Sequence, residues 1–264
     1  MDFPLSKMWH ERFYPELESK LGYSFEADAL ARDQLETLLK EKRTESYDLR
    51  ILTSLFENRT VFVFGAGPSL VHDISGFKAF LDLNSFPAIA ADGAIDALVQ
   101  SGIYPQVCVS DLDSASEKNL VEQSEKRILV VHAHGDNGDL LNSLVPGMGP
   151  HVFGTTQVEP NRIISNTGGL TDGDRSCYLA SAFNPKVVIL SGMDFGFREG
   201  AYSKDRYNGN VSSDRRTKLE IGLNSLEFLI TKSPRIAFIN VTAEGEEIKR
   251  TSRKSYEDSI KDFS

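Results

Sequence analysis

The chain reads as an α/β protein: a mostly parallel sheet with helices on both faces, preceded by a small helical N-terminal region. Three observations carry this reading. From residue 60 onward, short continuous apolar runs such as "TVFVF", "QVCVS" and "VVILS" recur, too uniformly apolar for strands with one wet face. Stretches with helical spacing separate most of them. Each run ends in small, polar or charged residues, as in sheets whose ligand crevice lies beyond the C-terminal ends of the strands.

Taken in order, residues 1–57 come first. "DALARDQLETLLKEKRTESYDLRILTSLFE" is charged and Gly-free, and Leu30, Leu35, Leu38 and Leu39 are expected on one helical face. This region is expected to cap the main body or to join copies of the chain in a homo-oligomer. The body is expected over 58–245. Its strands fall in "TVFVFGAGPSL", "PAIAADGA", "PQVCVSDLDS", "RILVVHAHGDN" and "PHVFGTTQ", then "PKVVILSGMDFG" and "RIAFINVT", with helices at 94–101, 115–126 and 137–143. The polar segment 196–216 holds Arg198, Lys204, Arg206, Arg215 and Arg216. It reads as a mobile loop that would carry positive charge over a bound phosphate. Residues 246–264 read as a charged tail.

The 264 residues are 40% hydrophobic and 25% charged, an ordinary globular composition. A net charge of −9 argues against nonspecific nucleic-acid binding. Cys108 and Cys177 are the only cysteines, too few for a disulfide framework or a Cys-rich zinc site. The N-terminus lacks the apolar core of a signal peptide, and no apolar run nears the roughly 20 residues that cross a membrane. A cytoplasmic location, without nucleic-acid or membrane partners, is expected.

The candidate site residues lie at the strand ends. Gly65, Ala66, Gly67, Pro68 and Ser69 join a strand to a helix, where backbone N–H groups suit a phosphate. They lack the Lys-Ser/Thr of a P-loop and the third Gly of the dinucleotide fingerprint, so a plain turn with Ser69 near the cap competes. Asp92 and Gly93 end the next strand. Asp111 and Asp113, two residues apart at a strand end, project to one side, as paired carboxylates do around Mg²⁺. Helix capping by Asp113 or Ser114 would explain one of these acids and not both. His132 and His134 alternate at the following strand end, with Asp136 behind them. Two readings stand here: a zinc or two-metal hydrolase, or imidazoles that bind phosphate or substrate. Thr155, Thr156 and Gln157 end another strand. Asn166, Gly168 and Gly169 look like a binding loop, Thr171 and Asp174 form a capping-box pattern with Asp172 in the first turn, and Arg175 suits a phosphate. Asp194 ends a further strand, where it suits a hydroxyl or a polar ring edge.

"ADGA" followed by "GIYPQVCVSDLDS" resembles the catalytic domain of the thiamin pyrophosphokinases, with Ser110 where that motif has Gly. "GAGPSL", "ADGA", "SDLD", "HAHGDN", "GTTQ", "NTGGLTDGDR" and "SGMDFG…YS" together resemble the archaeal-type 6-hydroxymethyl-7,8-dihydropterin pyrophosphokinases, of the domain-of-unknown-function 115 class. The resemblance spans residues 58–245. It implies a Rossmann-like fold and Mg²⁺-dependent transfer of the diphosphate of ATP to a pterin alcohol, giving AMP, in folate- or methanopterin-type biosynthesis. It implies that Asp111 and Asp113 hold Mg²⁺, joined by Asp92 or Asp136. Nucleotide or phosphate would meet Gly65, Gly67, Pro68, Ser69, Asp92, Gly93, Asn137, Thr155, Thr156, Gln157 and Arg175. His132, His134 and Asp136 would flank the reacting centre, and Asn166, Gly168, Gly169, Asp172, Asp174 and Asp194 would hold substrate. A thiamin pyrophosphokinase is one alternative, weakened by the absence of sequence for a C-terminal β-sandwich. A nucleotide-sugar glycosyltransferase of the same broad class, whose Asp-x-Asp also binds a metal diphosphate, is another. A non-enzymatic nucleotide sensor would not need so many acids and imidazoles at one edge.

Overall fold

The computed structural model describes residues 3–42, 51–196, 198–203 and 212–260. Helices α1 (Ser6–Leu21), α2 (Phe25–Glu41) and α3 (Ile51–Phe56) precede the sheet. Strand and helix then alternate: β1 (Thr60–Phe64), α4 (Leu70–Lys78), β2 (Ala88–Ala91), α5 (Ala94–Gln100), β3 (Val107–Ser110), α6 (Glu117–Lys126), β4 (Ile128–Ala133), α7 (Gly138–Leu144), β5 (Val152–Thr156), α8 (Asp172–Ser181), β6 (Val187–Ser191), α9 (Ser213–Lys232). Strands β7 (Ala237–Asn240) and β8 (Ser252–Arg253) and helix α10 (Tyr256–Ile260) follow. The eight strands form one sheet in the order β5-β4-β3-β2-β1-β6-β7-β8. Every pairing is parallel.

The expected doubly covered sheet is therefore present, and the alternation of side chains divides its core in two. Val61 and Val63 of β1 face a core built with Trp9, Phe13, Leu17, Cys177 and Leu226, from α1, α8 and α9. Phe62 and Phe64 face the other, with Leu35, Leu39, Ile74 and Leu98 from α2, α4 and α5. Phe62 meets the Phe77 ring at 5.1 Å and the Phe86 ring at 5.6 Å. Truncating so enclosed a ring to Ala costs about 3–5 kcal/mol.

Three expectations change. On α2 the buried stripe is Ala31, Leu35 and Leu39, with Leu38 half-buried, whereas Leu30 is 71% exposed. Leu30 precedes that stripe by one residue, a rotation of about 100° around the helix. The segment read as a loop over 196–216 ends early, because α9 begins at Ser213. The Ser212 hydroxyl accepts the Arg215 N–H at 3.3 Å and Asp214 lies in the first turn, so polar residues that suggested a loop are a helix start. Arg215 and Arg216 are helical, while Lys204 and Arg206 lie outside the described residues. Finally, the charged C-terminal stretch contributes β8, which extends the sheet beside β7, and α10, which packs on α4.

From β1 the chain steps outward through β5, then returns to β6 on the opposite flank of β1. The winding direction reverses between β1 and β6, which opens a crevice at their C-terminal ends.

Candidate active site

That crevice is lined by Asp92, Asp111, Asp113, Asp172, Asp194 and Lys218, with Gly65, Gly67 and Pro68 along one wall. The carboxylates come from three strand ends, those of β2, β3 and β6, and from the start of α8. Asp92 follows β2 with φ 44°. Its Oδ1 accepts the Ser110 Oγ–H at 2.6 Å and the Ala115 N–H at 3.3 Å. Ser110 Oγ in turn accepts the Leu112 N–H at 2.8 Å, within a turn where Leu112 has φ 74°. Ser110 thus ties the ends of β2 and β3 together, a link that Gly, the residue expected by resemblance, could not make.

Carboxylate oxygens of Asp92, Asp111 and Asp172 lie within 4.8 Å of one another. Of the expected pair, only Asp111 belongs to this group; Asp113 lines the crevice beside it, and Asp172 of α8 takes the third place. Three carboxylates this close repel unless a proton or cation lies between them. Burial, then the charges of Asp111 and Asp113, push Asp92 up to about 7. Burial and the Asp111 charge push Asp172 well above the usual carboxylate range. Burial also opposes ionisation of Asp111, but the His134 contact and the Lys218 charge outweigh it and hold Asp111 below that range. Burial works against the Lys218 ammonium, yet Tyr23, Asp111, Asp172 and Asp113 outweigh it and keep it charged. Asp111 Oδ1 is buried without a hydrogen-bond partner among the described residues. This donor set suits a hard divalent cation that takes oxygen ligands.

The two histidines stack, with ring centroids 5.9 Å apart, but face different partners. Buried His132 meets Thr155 Oγ1 through Nδ1 at 3.2 Å. Burial, then Arg175 and His134, drive its pKa well below the ordinary value, so it is a neutral imidazole. His134 Nδ1 accepts the Asp136 N–H at 3.3 Å, which leaves its proton on Nε2, 3.5 Å from Asp111 Oδ2. His134 therefore supports a carboxylate. Among the described residues, the three-donor grouping able to hold a metal contains no histidine. The Asp136 side chain is exposed and apart from the crevice lining. Asn137 spends its side chain on the scaffold: Nδ2 donates to Asp111 O at 2.9 Å and to His132 O at 2.7 Å, and Oδ1 accepts the His134 N–H at 3.1 Å.

The remaining candidates divide between wall and scaffold. Gly67 N–H donates to Gly192 O at 2.9 Å, and a Cβ on Gly67 would stand 2.6 Å from that oxygen. The glycine is required by the approach of the β6 loop as well as by the crevice. Ser69 stands at the N-cap of α4, but its side chain makes no cap bond: its Oγ–H donates to Asp194 Oδ1 at 2.5 Å and its N–H to Asp194 Oδ2 at 3.2 Å. Burial pushes Asp194 up to about 6. Residues 198–203 cross the crevice as a strap, so close that a Cβ at Gly93 would run into Tyr202 O and one at Gly200 into Ala66 O. Arg215 pairs with Glu199 of that strap.

Thr155, Thr156 and Gln157 are buried away from the crevice, under the N-terminal helices; Gln157 Nε2 donates to Asp28 Oδ2 at 2.7 Å. Asn166 shapes its own turn, accepting the Gly168 N–H at 2.8 Å and donating to Val158 O at 2.9 Å. Gly168 and Gly169 adopt φ 83° and 89° there, a region that favours glycine. Asp174 completes the capping box, accepting the Thr171 N–H at 2.6 Å and the Leu170 N–H at 2.9 Å. Buried Arg175 donates from Nη2 to Leu170 O at 3.0 Å. Lys218 escaped the sequence reading altogether. It lies on α9, far from any strand end, and no local pattern distinguishes it from a solvated helix lysine.

The 6-hydroxymethylpterin diphosphokinase MptE-like family model matches residues 34–200. The 6-hydroxymethyl-7,8-dihydropterin pyrophosphokinase of Pyrococcus furiosus is 38% identical over 225 residues, covering 84% of this chain and 94% of that protein. The protein of the same name from Methanocaldococcus jannaschii is 37% identical over 232 residues, 85% of this chain and 92% of that protein. Two solved structures align at lower similarity. The MAf glycosyltransferase of Magnetospirillum magneticum AMB-1 has a TM-score of 0.45 and 16% identity over 88% of this chain and 41% of that one. The thiamine pyrophosphokinase of Bacillus subtilis has a TM-score of 0.34 and 15% identity over 68% and 60%. With the family match over more than half of its length and relatives more than a third identical along most of it, the chain belongs to the 6-hydroxymethylpterin diphosphokinase MptE-like family and is an enzyme of the pyrophosphokinase class.

Proposed function

We propose that the protein transfers the diphosphate of Mg²⁺-bound ATP to the hydroxymethyl group of 6-hydroxymethyl-7,8-dihydropterin, in pterin biosynthesis of the folate or methanopterin type. The acceptor oxygen attacks the β-phosphorus, the bond from that phosphorus to the bridging oxygen breaks, AMP departs with that oxygen, and the hydroxyl proton is released. Such a transfer needs positioning and charge neutralisation more than covalent help. Asp92, Asp111 and Asp172 would hold the metal, which neutralises phosphate charge when bound, and Asp113 adds a carboxylate beside them. The Gly65–Ser69 wall, ahead of the N-terminus of α4, receives phosphate oxygens on backbone N–H groups. Lys218 supplies a fixed positive charge facing them.

The observation that carries this reading is the convergence of three carboxylates and one half-buried lysine in the crevice beside the switch point of the sheet; the pterin as acceptor follows the names of the relatives. Incubation with ATP, Mg²⁺ and the pterin alcohol should yield AMP and the pterin diphosphate. ADP as product would replace the reading with ordinary phosphoryl transfer. Turnover with thiamin, or with a nucleotide sugar in place of ATP, would redirect it to those acceptors and donors.

A further inference from the structure

Helix α2 carries an acid where its neighbours are apolar. Asp28 shares the buried face of Ala31, Leu35 and Leu39 and is only 2% exposed. A buried carboxylate is costly unless hydrogen-bonded, and three donors converge on this one. Its Oδ2 accepts the Tyr14 Oη–H at 2.6 Å and the Gln157 Nε2–H at 2.7 Å, and its Oδ1 accepts the Gly135 N–H at 2.7 Å. Further along the same helix, Gln34 Nε2 donates to Gly138 O at 2.7 Å. One helix thus grips the turn after β4 at both ends. The contact is close: a Cβ on Gly135 would stand 2.7 Å from Ala27 Cβ. Immediately before the gripped turn lies His134, whose Nε2 faces Asp111 Oδ2 at 3.5 Å.

We propose that Asp28 is a positioning residue for diphosphoryl transfer: through Gly135 it sets the turn that aims His134 at Asp111. The inference rests on the diphosphokinase reading for its catalytic consequence, though not for its geometry. The N-terminal helices are then part of the catalytic apparatus and more than a cover.

Asp28→Asn and Tyr14→Phe, each in the full chain, separate positioning from stability. An Asn at 28 can offer Oδ1 to Tyr14 and Gln157 only by turning its amide donors towards the Gly135 N–H; Tyr14→Phe leaves the Gly135 bond in place. Both variants should lose thermal stability to a similar degree. Asp28→Asn should lower kcat by about 10–100-fold, the usual effect of losing a partner that orients a metal-site residue, with KM for ATP unchanged. Tyr14→Phe should keep kcat near wild type. In ¹⁵N-histidine spectra, the Nε2–H signature of His134 should shift in Asp28→Asn alone. An Asp28→Asn protein with wild-type kcat and an unmoved His134 signal overturns the proposal. A wild-type protein that makes no AMP overturns the diphosphokinase reading instead, and the nitrogen spectrum then decides the clamp. If Asp28→Asn does not fold, Gly135→Ala strains the same contact from the other side. It should move the His134 signal, and adding Ala27→Gly should restore it; no movement overturns the clamp.

Discussion

Asp92 gives the most direct physical test of the acidic group. Its pKa is pushed up to about 7 by burial and by the charges of Asp111 and Asp113. Below about pH 7 the folded chain therefore holds a proton that an unfolded aspartate releases near pH 4. Between those values the folded state binds more protons, so stability falls as pH rises. One proton corresponds to about 1.4 kcal/mol per pH unit. From about pH 5.5 to about pH 6.5, Asp92 should lower the melting midpoint of the metal-free protein by roughly 3–5 °C for a domain of this size. Asp172 and Asp194, also raised, add to the slope. Asp111, held low, has the opposite sense, but its contribution is lost only in strong acid, outside this window; His132, held neutral, opposes the slope inside the window, equally in wild type and variant, so the comparison between the two reads Asp92. Asp92→Asn isolates the effect, because an amide oxygen can still accept from Ser110 and Ala115. Melting in EDTA at closely spaced pH values should show a shallower slope for Asp92→Asn than for wild type. Saturating Mg²⁺ should stabilise wild type increasingly as pH rises, because the cation competes with the proton. Equal slopes for the two proteins in EDTA would refute the account of Asp92.

Neighbouring acids on α8 should behave differently. Asp172→Asn should lower kcat by about 100-fold or more, since a metal supplies several kcal/mol of charge stabilisation; Asp174→Asn should instead cost about 1–2 kcal/mol of stability through the lost cap and leave kcat in place. Steady-state kinetics and melting of both variants check this. Lys218→Met removes the half-buried cation and should raise KM for ATP by roughly tenfold or more, the worth of a charge-assisted hydrogen bond; an unchanged KM would exclude Lys218 from the nucleotide. Gly200→Ala should lift the strap from the phosphate wall, because its Cβ would run into Ala66 O. Trypsin should then cut after the exposed Arg198 faster than in wild type, and an equal rate would show that the strap tolerates the change.

The sheet was legible because its signals are local. Uninterrupted runs such as "VVILS" report a strand buried on both faces, and a parallel sheet leaves its ligand edge where those runs end. That alone located Asp92, Asp111 and the Gly65–Ser69 wall. The capping box at Thr171 and Asp174 was legible for the same reason, since all its partners lie within one turn. The tertiary structure decided what no spacing encodes. Asp172 joins Asp92 and Asp111 because α8 crosses the sheet so that its first turn meets the ends of β2 and β3. Lys218 faces them because α9 begins at Ser213, and the acids keep it charged despite burial. Thr155 and Gln157 stand at a strand end like the others, yet the N-terminal helices cover them and turn them into scaffold. A side chain's chemistry is written at its position, but whether it meets a ligand or a neighbour depends on which distant element packs against it.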